Sequence, residues 1–421
     1  WSSTSLQFFG GWVCPQFSGS WSLRPAMRWR RGGSLRALCW CGAALACRWL
    51  PFRAHRVWTG PQLRTPLHAS HHTAAAPVVP APALEASMTP PACMLPAPPA
   101  TLLLASGADL ASVTMAEAVL DHPAFEWASQ GHGRWSAEAP ALRGRVHLWW
   151  REERLSCLER VDEAWEAVHT AGEAPLGDLL FLSRHAAASG RPSLTVHPIG
   201  NPRSDLEPRG GTAGRLAPPS PRLAPLLRQL REAHGAAGEG LADFDVTFEA
   251  THHGPFVKTP ALFAEVGSTE AEWGRRDAGR CWAEALWRLL ARSGEGASSA
   301  EAPEAVVVVL GGNHYMTQVN DLAHSHPELS VGHMLPSYIF ADASEEEVQA
   351  MVLEAVRATA RAHPSAREVI VLALKKNLRA APRRAALAAV KECRESGEWR
   401  GPELRTVGST RELAAALTAE A

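Results

Sequence analysis

Phe244–Trp273 reads FDVTFEATHHGPFVKTPALFAEVGSTEAEW, and it contains two strand patterns separated by a histidine-rich loop. Its first five residues alternate between apolar and polar types, which is typical of a half-buried strand. The run His252-His253-Gly254-Pro255 follows, and its Gly-Pro pair favours a turn. A second apolar run, Leu262–Val266, comes next. The stretch therefore predicts a strand, a loop and a second strand.

A helix is predicted after the second strand. Ser268 stands at an N-cap position just after Gly267, and apolar residues recur at helical spacing from Ala271 to Leu289. The two loop histidines, the buried-looking Glu265 and the start of this helix are expected to converge at one edge of a sheet. Such a concentration of polar groups at strand ends is the usual make-up of an active site.

Continuous apolar runs predict four more buried strands, at Leu102–Ala105, Leu179–Leu182, Ala305–Leu310 and Val369–Leu374. Val146–Trp150 is a further strand candidate. Helical patterns alternate with these strands, at Ala111–Leu120, Leu158–Val168, Leu223–Ala233, Glu345–Ala362, Arg383–Cys393 and Thr410–Ala419. The alternation predicts an α/β fold with a mostly parallel sheet flanked by helices.

Histidines stand at or just past the ends of several predicted strands. His185 follows one apolar run, His197 ends another short strand pattern, and His314 follows the turn Gly311-Gly312-Asn313. Ligands bind outside the carboxyl ends of parallel strands in such folds. With the two histidines of the loop, these residues predict one histidine-lined site.

Two chemistries fit that site. Neutral imidazoles of His185, His197, His252 and His314 are candidate zinc ligands, and zinc would polarise an ester carbonyl and lower the pKa of bound water. No local zinc motif such as HExxH supports this choice. No GxGxxG or Walker pattern occurs either, so a nucleotide cofactor is not expected.

The alternative is acid–base chemistry without a metal. One of His252, His253 and His314 would act as general base on water, oriented by Glu265. The backbone amides of Gly311-Gly312 would stabilise the oxyanion. Glu265 has two structural alternatives, a cap for the following helix and an ion pair with an arginine.

These motifs resemble those of the archaeal and plant type of D-aminoacyl-tRNA deacylase. That family carries an acidic strand residue and A-T-H-H-G-P, then a Pro, a Phe and E-[IV]-G-S-x-x-x-W. The matching residues here are Glu249–Pro255, Pro260, Phe263, Glu265–Ser268 and Trp273. Its S-R-H and L-T-x-H-x-x-G motifs match Ser183–His185 and Leu194–Gly200, and a further element matches Gly332–Leu335 with Tyr338.

The resemblance implies a peptidyl-tRNA hydrolase or nucleoside phosphorylase-like fold and an association with zinc. It implies hydrolysis of the ester between a D-amino acid and the terminal adenosine of tRNA, as translation quality control. The chain departs from the family's usual G-G-G-H-Y, Pro and basic residue at Asn313 and at Met316–Gln318. Two alternatives therefore stay open: another tRNA-directed hydrolase, such as a peptidyl-tRNA hydrolase-like enzyme, and a catalytically weakened tRNA-binding protein.

Candidate contacts to aminoacyl-tRNA follow from charge and position. Lys375, Lys376 and Arg379 form a basic run at a strand end that could bind the phosphate backbone of tRNA. The alternative is a solvated surface that binds no RNA. Arg184 is a candidate for the 3′-terminal phosphate or the substrate, or for a structural ion pair. Thr195, inside the L-T-x-H motif, is a candidate substrate contact.

Composition divides the 421 residues at about residue 100. The first hundred contain nine Arg, no Lys and one acid, Glu85, which leaves a balance of −9 over the predicted single domain 101–421. That balance excludes a general nucleic-acid coat protein. Residues 1–100 are expected to be a disordered Arg-, Pro- and Ala-rich leader, either an organelle transit peptide or an over-extended gene model. We expect an intracellular protein, in the cytoplasm or, if the leader is a transit peptide, in a plastid or mitochondrion. No apolar run predicts a membrane span.

Overall fold

The computed structural model describes residues 98–168, 174–291 and 305–418. Within these ranges the chain forms a larger and a smaller sheet with helices packed against them. The predicted α/β architecture is therefore confirmed. Nearly all of the predicted leader lies outside the described residues. Among the described helices, none combines the length and the hydropathy needed to cross a bilayer.

Ten strands precede residue 270. They are β1 (Ala100–Ser106), β2 (Ala128–Gly131), β3 (Arg134–Ala137), β4 (Val146–Arg151), β5 (Leu176–Arg184), β6 (Ser193–His197), β7 (Gly200–Asn201), β8 (Arg215–Leu216), β9 (Asp245–Phe248) and β10 (Ala261–Gly267). β7 pairs with β8, and the other eight form the larger sheet in the order β2-β3-β4-β1-β5-β10-β6-β9. The centre of that sheet, β4-β1-β5-β10, is parallel.

Both flanks of the larger sheet depart from this parallel arrangement. β2, β3 and β4 are joined by antiparallel pairs. β6 is antiparallel to β10, and β9 is parallel to β6. β6 and β9 therefore run in the direction opposite to the central strands.

The smaller sheet is wholly parallel. Its strands are β11 (Ala305–Leu310), β12 (Leu329–Leu335), β13 (Glu368–Ala373) and β14 (Glu403–Val407), in the order β12-β11-β13-β14. Every residue of β11 and β13 is buried, as expected for strands covered on both faces.

The described helices cover the faces of the two sheets. They are α1 (Leu110–Leu120), α2 (Val161–Val168), α3 (Leu223–Ala236), α4 (Glu270–Trp273), α5 (Arg276–Leu290), α6 (Thr317–Ser325), α7 (Glu345–Ala362), α8 (Ala380–Glu395) and α9 (Thr410–Thr418). α5 packs against α1 and α3, where the fully buried Trp282 joins the main core. α7 begins at Ser344, whose side chain forms a capping box with Glu347.

The two sheets meet where β9 ends. The Ala250 amide donates to the His314 carbonyl oxygen at 2.7 Å, and the Thr251 amide donates to that of Met334 at 2.8 Å. Glu249 forms an antiparallel bridge with Tyr315. These backbone contacts bring the histidine-rich loop of the larger sheet against the ends of β11 and β12.

Two predictions about the stretch after β10 are wrong in detail. The N-cap is Thr269 rather than Ser268, because Thr269 and Glu272 form the capping box of a single turn, α4. The helix is also interrupted: α4 ends at Gly274, and α5 begins at Arg276. The helix predicted from Leu158 begins at Val161, after a 3-10 turn.

Candidate active site

The predicted site histidines do converge, but not at one edge of a parallel sheet. β6 is antiparallel to β10, so His197 pairs with Phe263, and Thr195 pairs with Glu265. On the other side of β10, Glu265 pairs with Ser183, and His185 follows two residues later. Glu265 therefore lies between two histidines that approach it from strands of opposite direction.

One group of side chains, which we call the glutamate cluster, consists of His185, Glu249 and His314. The Nε2 atom of His314 lies 2.7 Å from Glu249 Oε2, and the Nδ1 atom of His185 lies 3.0 Å from Glu249 Oε1. Glu249 has no solvent exposure, while 34% of the His314 side chain is exposed. The cluster thus links a buried carboxylate to an imidazole that solvent can reach.

Both tyrosines of the chain bind histidines of the glutamate cluster. The Tyr315 hydroxyl lies 2.7 Å from His185 Nε2. The Tyr338 hydroxyl lies 3.2 Å from His314 Nδ1. The two imidazoles are therefore each held on one side by Glu249 and on the other by a phenol.

A second group, which we call the histidine cluster, consists of His197, His252 and His253. Each uses its Nδ1 atom in a hydrogen bond to a backbone carbonyl, of Pro198 (3.1 Å), Ala250 (2.8 Å) and Gly254 (2.6 Å), respectively. This leaves Nε2 of each ring to face the cluster. Each residue offers one ring nitrogen, and these nitrogens lie within 4.8 Å of one another.

The two clusters adjoin each other. The ring centroids of His252 and His314 are 4.9 Å apart. Glu265 lies 3.6 Å from both His185 Nδ1 and His197 Nε2, so it touches one histidine of each cluster. It is 2% exposed and neither caps the helix nor pairs with an arginine.

The direction of the pKa shift differs among the histidines of the two clusters. Burial opposes protonation of His185, but the charges and hydrogen bonds of Glu249 and Glu265 outweigh it and raise its pKa to about 12. Burial and the neighbouring His197 lower the pKa of His253 to about 4, and they lower that of His252 well below its usual value. Burial also opposes protonation of His197, yet Glu265 raises its pKa.

Several buried polar atoms of the site have no hydrogen-bond partner among the described residues. They include the Thr195 hydroxyl and His197 Nε2, and both of these side chains are 0% exposed. Buried polar atoms in folded proteins are rarely left unpaired, and such an exception calls for a water or an ion. The histidine cluster and its surroundings therefore have polar atoms that are available to bind a water or an ion.

Close backbone approaches shape both clusters. A Cβ atom on Gly267 would lie 2.7 Å from the His185 ring, and one on Gly254 would lie 2.2 Å from the amide nitrogen of Gly211. His253 adopts φ of 38°, a region that non-glycine residues rarely occupy. The surrounding structure thus fixes the loop that presents the histidines.

The structure corrects three predictions about this site. The predicted zinc ligands His185, His197, His252 and His314 fall into two clusters rather than one, because Glu265 separates His185 from His197. The carboxylate that orients the exposed His314 is Glu249 rather than Glu265. The Gly311 amide donates to the Leu335 carbonyl oxygen at 2.8 Å, so of Gly311-Gly312 only Gly312 can offer an amide to an oxyanion.

The predicted substrate contacts lie around the clusters, and their roles stay predictions. The Arg184 guanidinium stacks over Trp273 at 4.8 Å, while Thr195 is buried beside Glu265. Lys375, Lys376 and Arg379 are exposed just after β13. Lys375 pairs with Glu412 at 3.1 Å, whereas Lys376 and Arg379 form no ion pair within the described residues.

Sequence reasoning assigned no role to three site residues. Glu249 was recognised as part of a motif, but its contacts to His185 and His314 come from distant segments. Tyr315 and Tyr338 are the only tyrosines of the chain, and both lie within the motifs quoted above. That concentration is a signal from which a role could have been predicted.

Comparison with known proteins identifies relatives of the part of the chain that contains both clusters. A family model described as D-aminoacyl-tRNA deacylase matches residues 175–394, which include every residue of both clusters. A D-aminoacyl-tRNA deacylase of Arabidopsis thaliana is 34% identical over 255 residues, which are 56% of this chain and 75% of that protein. One from Caldivirga maquilingensis is 40% identical over 161 residues, 38% of this chain and 56% of that protein.

A solved structure shows the same fold. It belongs to a conserved protein of unknown function and is 24% identical, with a TM-score of 0.55. The match covers 74% of this chain and 96% of that one. From the family model and the Arabidopsis relative together, the chain belongs to the D-aminoacyl-tRNA deacylase family.

Proposed function

We propose that this chain is a hydrolase that cleaves the ester bond of D-aminoacyl-tRNA, releasing a free D-amino acid and tRNA. Family membership supports the substrate. The observation that carries the chemistry is the contact of 2.7 Å between the buried Glu249 and the partly exposed His314. A carboxylate that orients an accessible imidazole is the usual arrangement of a general base.

His314 is the proposed general base. With its Nε2–H donated to Glu249, the ring keeps a lone pair on Nδ1, which faces the Tyr338 hydroxyl. A water that takes the place of the Tyr338 hydroxyl at that nitrogen would lose its proton to His314 as its oxygen attacks the ester carbonyl. Glu249 would stabilise the imidazolium, and His314 would then return the proton to the departing ribose oxygen. General acid–base catalysis of this kind contributes about 10²- to 10⁴-fold to rate.

The remaining groups would stabilise charge. The Gly312 amide is the available backbone donor for the carbonyl oxygen as it becomes negative. His185, kept protonated by Glu249 and Glu265, adds a fixed positive charge beside the reacting groups. An aminoacyl ester is an activated bond, so modest electrostatic help of this kind suffices for hydrolysis.

The donor set of the histidine cluster fits zinc. Its three Nδ1 atoms are bound by backbone carbonyls, which fix each ring with Nε2 turned inward, as is usual for zinc-bound histidines. His197 Nε2 makes no hydrogen bond within the described residues, although Glu265 lies 3.6 Å away, so this nitrogen is available to a metal. Zinc bound by His197, His252 and His253 would supply Lewis-acid polarisation of the ester and lower the pKa of a bound water.

Aminoacyl-tRNA is the proposed partner, and the exposed charges beside the site support it. Lys376 and Arg379 lie just after β13, next to Asn377, whose carbonyl oxygen accepts a hydrogen bond from Ser337. Ser337 in turn directly precedes Tyr338. Phosphate groups of an RNA acceptor end would therefore reach two cations on a segment that is hydrogen-bonded to Ser337, the neighbour of the Tyr338 that contacts His314.

The test is deacylation of D-Tyr-tRNA and L-Tyr-tRNA by the full chain, with and without a chelator. Selective loss of the D-ester establishes the activity, and its inhibition by chelator assigns the chemistry to a metal. Hydrolysis of N-acetyl-aminoacyl-tRNA, offered as a third substrate, in place of the D-ester would indicate a peptidyl-tRNA hydrolase-like enzyme. Tight tRNA binding without turnover would overturn the hydrolase and leave the weakened binding protein that Asn313 and Met316–Gln318 allow.

A further inference from the structure

Tyr338 is an exposed aromatic side chain at the entrance to the site. It is 53% exposed, and it is the one aromatic among the large exposed apolar side chains of the described residues. Its ring packs on no other aromatic ring in this part of the chain, while its hydroxyl lies 3.2 Å from His314 Nδ1. One end of the side chain is thus anchored at the proposed general base, and the ring is left uncovered.

The backbone that carries Tyr338 is firmly held. It lies in a 3-10 turn, Ser337–Phe340, directly after β12. The Ser337 amide donates to the Gly312 carbonyl oxygen at 2.9 Å. The Arg203 guanidinium donates to the carbonyl oxygens of Ile339 (3.0 Å) and Ala341 (2.9 Å). An exposed ring on a fixed backbone loses little freedom when a flat ligand stacks on it.

The surroundings fit the end of a single-stranded RNA. Ser337 donates a side-chain hydrogen bond to the Asn377 carbonyl oxygen, so the ring lies beside the segment that carries Lys376 and Arg379. Proteins bind unpaired nucleotides by stacking bases on aromatic rings and by placing cations along the phosphates. An aromatic ring next to two cations and a catalytic histidine provides both elements.

We propose that the Tyr338 ring is the platform on which the 3′-terminal base of the RNA substrate stacks. The inference rests on the proposed function, because it assigns the nucleotide whose ribose carries the ester. The hydroxyl contact to His314 sets the spacing: a base stacked on this ring places its own ribose next to the imidazole. Tyr338 is therefore a specificity-determining residue, and Lys376 is a sequence-independent phosphate contact.

The test measures binding rather than turnover. The affinity of the full chain is compared for two hairpin RNAs of a tRNA acceptor stem, one ending in CCA and one ending in CC. The terminal base should strengthen binding by about 5- to 150-fold, the range expected for one base stacked on an aromatic ring. The ratio of the affinity for the CCA RNA to that for the CC RNA should fall to about one in Tyr338→Leu, and Tyr338→Trp should keep this ratio.

Two matched variants separate stacking from other roles. Tyr338→Phe removes only the hydroxyl and should keep the ratio within about twofold, since the π-face is unchanged. Lys376→Ala should weaken the binding of both RNAs by the same factor, because contacts to phosphates do not depend on the identity of the base. The proposal is overturned if the wild type does not distinguish the two RNAs, if Tyr338→Leu keeps the ratio, or if Tyr338→Phe abolishes it.

This test is distinguishable from the test of the proposed function. If D-aminoacyl-tRNA is not hydrolysed but Tyr338→Leu abolishes the ratio, the stacking platform stands and the hydrolase fails. If hydrolysis is selective for the D-ester but Tyr338→Leu keeps the ratio, the hydrolase stands and the platform is wrong. A circular dichroism melt of each variant shows whether the fold is intact, and no shift is expected at so exposed a position.

Discussion

The glutamate cluster and the histidine cluster contain the same kind of side chain and use it in opposite ways. In the glutamate cluster, the contacts of His185 and His314 run inward, to Glu249 at 3.0 and 2.7 Å. In the histidine cluster, the Nδ1 contacts run outward to backbone carbonyls, and the nitrogens that face one another have no shared acceptor. The rings of one cluster are held by a buried carboxylate, and those of the other by backbone carbonyls.

The difference arises from what surrounds each ring. A buried carboxylate raises the pKa of His185 to about 12 despite the cost of burial, so that ring keeps its proton at neutral pH. Burial and a neighbouring imidazole lower the pKa of His253 to about 4, so that ring is neutral. A neutral imidazole is the form that binds metal, and a histidine paired with a carboxylate is the form that moves protons. His252 and His253 thus have the neutral form that binds metal, whereas Glu265 raises the pKa of His197 against the effect of burial.

The largest effect is expected from Glu249→Gln. The variant replaces the carboxylate that His314 contacts with a neutral amide and leaves the protonated His185 without its nearest buried charge. We expect kcat to fall about 10²- to 10⁴-fold. We expect the free energy of unfolding to fall by about 3–5 kcal/mol, the cost of breaking a buried ion pair. Single-turnover deacylation and urea unfolding measure the two changes.

The matched control is Glu272→Gln, at a half-buried position of the α4 capping box. It should leave kcat unchanged and lower the free energy of unfolding by about 1 kcal/mol or less. Wild-type turnover by Glu249→Gln would contradict the role assigned to the glutamate cluster.

The second prediction tests whether a metal distinguishes the clusters. His253→Ala removes one of three converging nitrogens and should weaken zinc binding by more than about 100-fold, since loss of a group that merely orients a ligand costs about 10- to 100-fold. His314→Gln, in the glutamate cluster, should retain zinc while lowering kcat. Equilibrium dialysis with elemental analysis reports the first quantity. Equal zinc loss in both variants would show that the clusters act as one site.

A smaller effect is expected from Gly267→Ala, which tests the packing of His185. The added Cβ would lie 2.7 Å from that ring, so His185 must move away from Glu249 and Tyr315. A shift of this order at a catalytic group lowers kcat by up to about 100-fold. Gly235→Ala is the control, because nothing lies within 4 Å of its Cβ position in α3. That control should keep activity and gain about 0.5–1 kcal/mol of stability.

The sequence predicts the parts of this comparison that depend on local pattern. Ala305–Leu310 and Glu368–Ala373 are strands buried on both faces, and continuous apolar runs identify such strands without any knowledge of their neighbours. The histidines could be placed for the same reason, since each follows a strand pattern. The exposed strand β2 cannot be predicted in this way, because Ala128–Gly131 has no apolar face.

Pairing between distant segments could not be predicted from pattern. Nothing in Ser193–His197 shows that this strand runs antiparallel to β10, although that direction decides which histidines share a cluster. Likewise, the contact between Glu249 and His314 joins residues 65 apart in the chain. The sequence favours Glu265 as the carboxylate that orients the general base. This prediction is wrong because Glu249, just after β9, contacts His314, which follows β11, and only the fold brings these two residues together.

A third kind of buried histidine gives the smallest predicted effect. His333 is 0% exposed, and both ring nitrogens are hydrogen-bonded, to Thr251 Oγ1 at 3.1 Å and to the Ala217 carbonyl oxygen at 3.0 Å. Burial lowers its pKa to about 3, and the charge of Arg361 adds to that effect. Its ordinary pKa of 6.5 applies once the chain unfolds. Stability from this residue is therefore complete above pH 6.5 and is lost as the pH falls from 6.5 towards 3.

The slope of stability against pH measures this contribution. Between pH 6 and pH 4.5, His333 should contribute a fall of up to about 1.4 kcal/mol per pH unit, the value for one proton taken up on unfolding. His333→Asn should reduce the slope by that amount. Urea unfolding at several pH values supplies both slopes. An unchanged slope in His333→Asn would mean that this histidine is already protonated in the folded chain, as His185 is, and the distinction between structural and catalytic histidines would then rest on geometry alone.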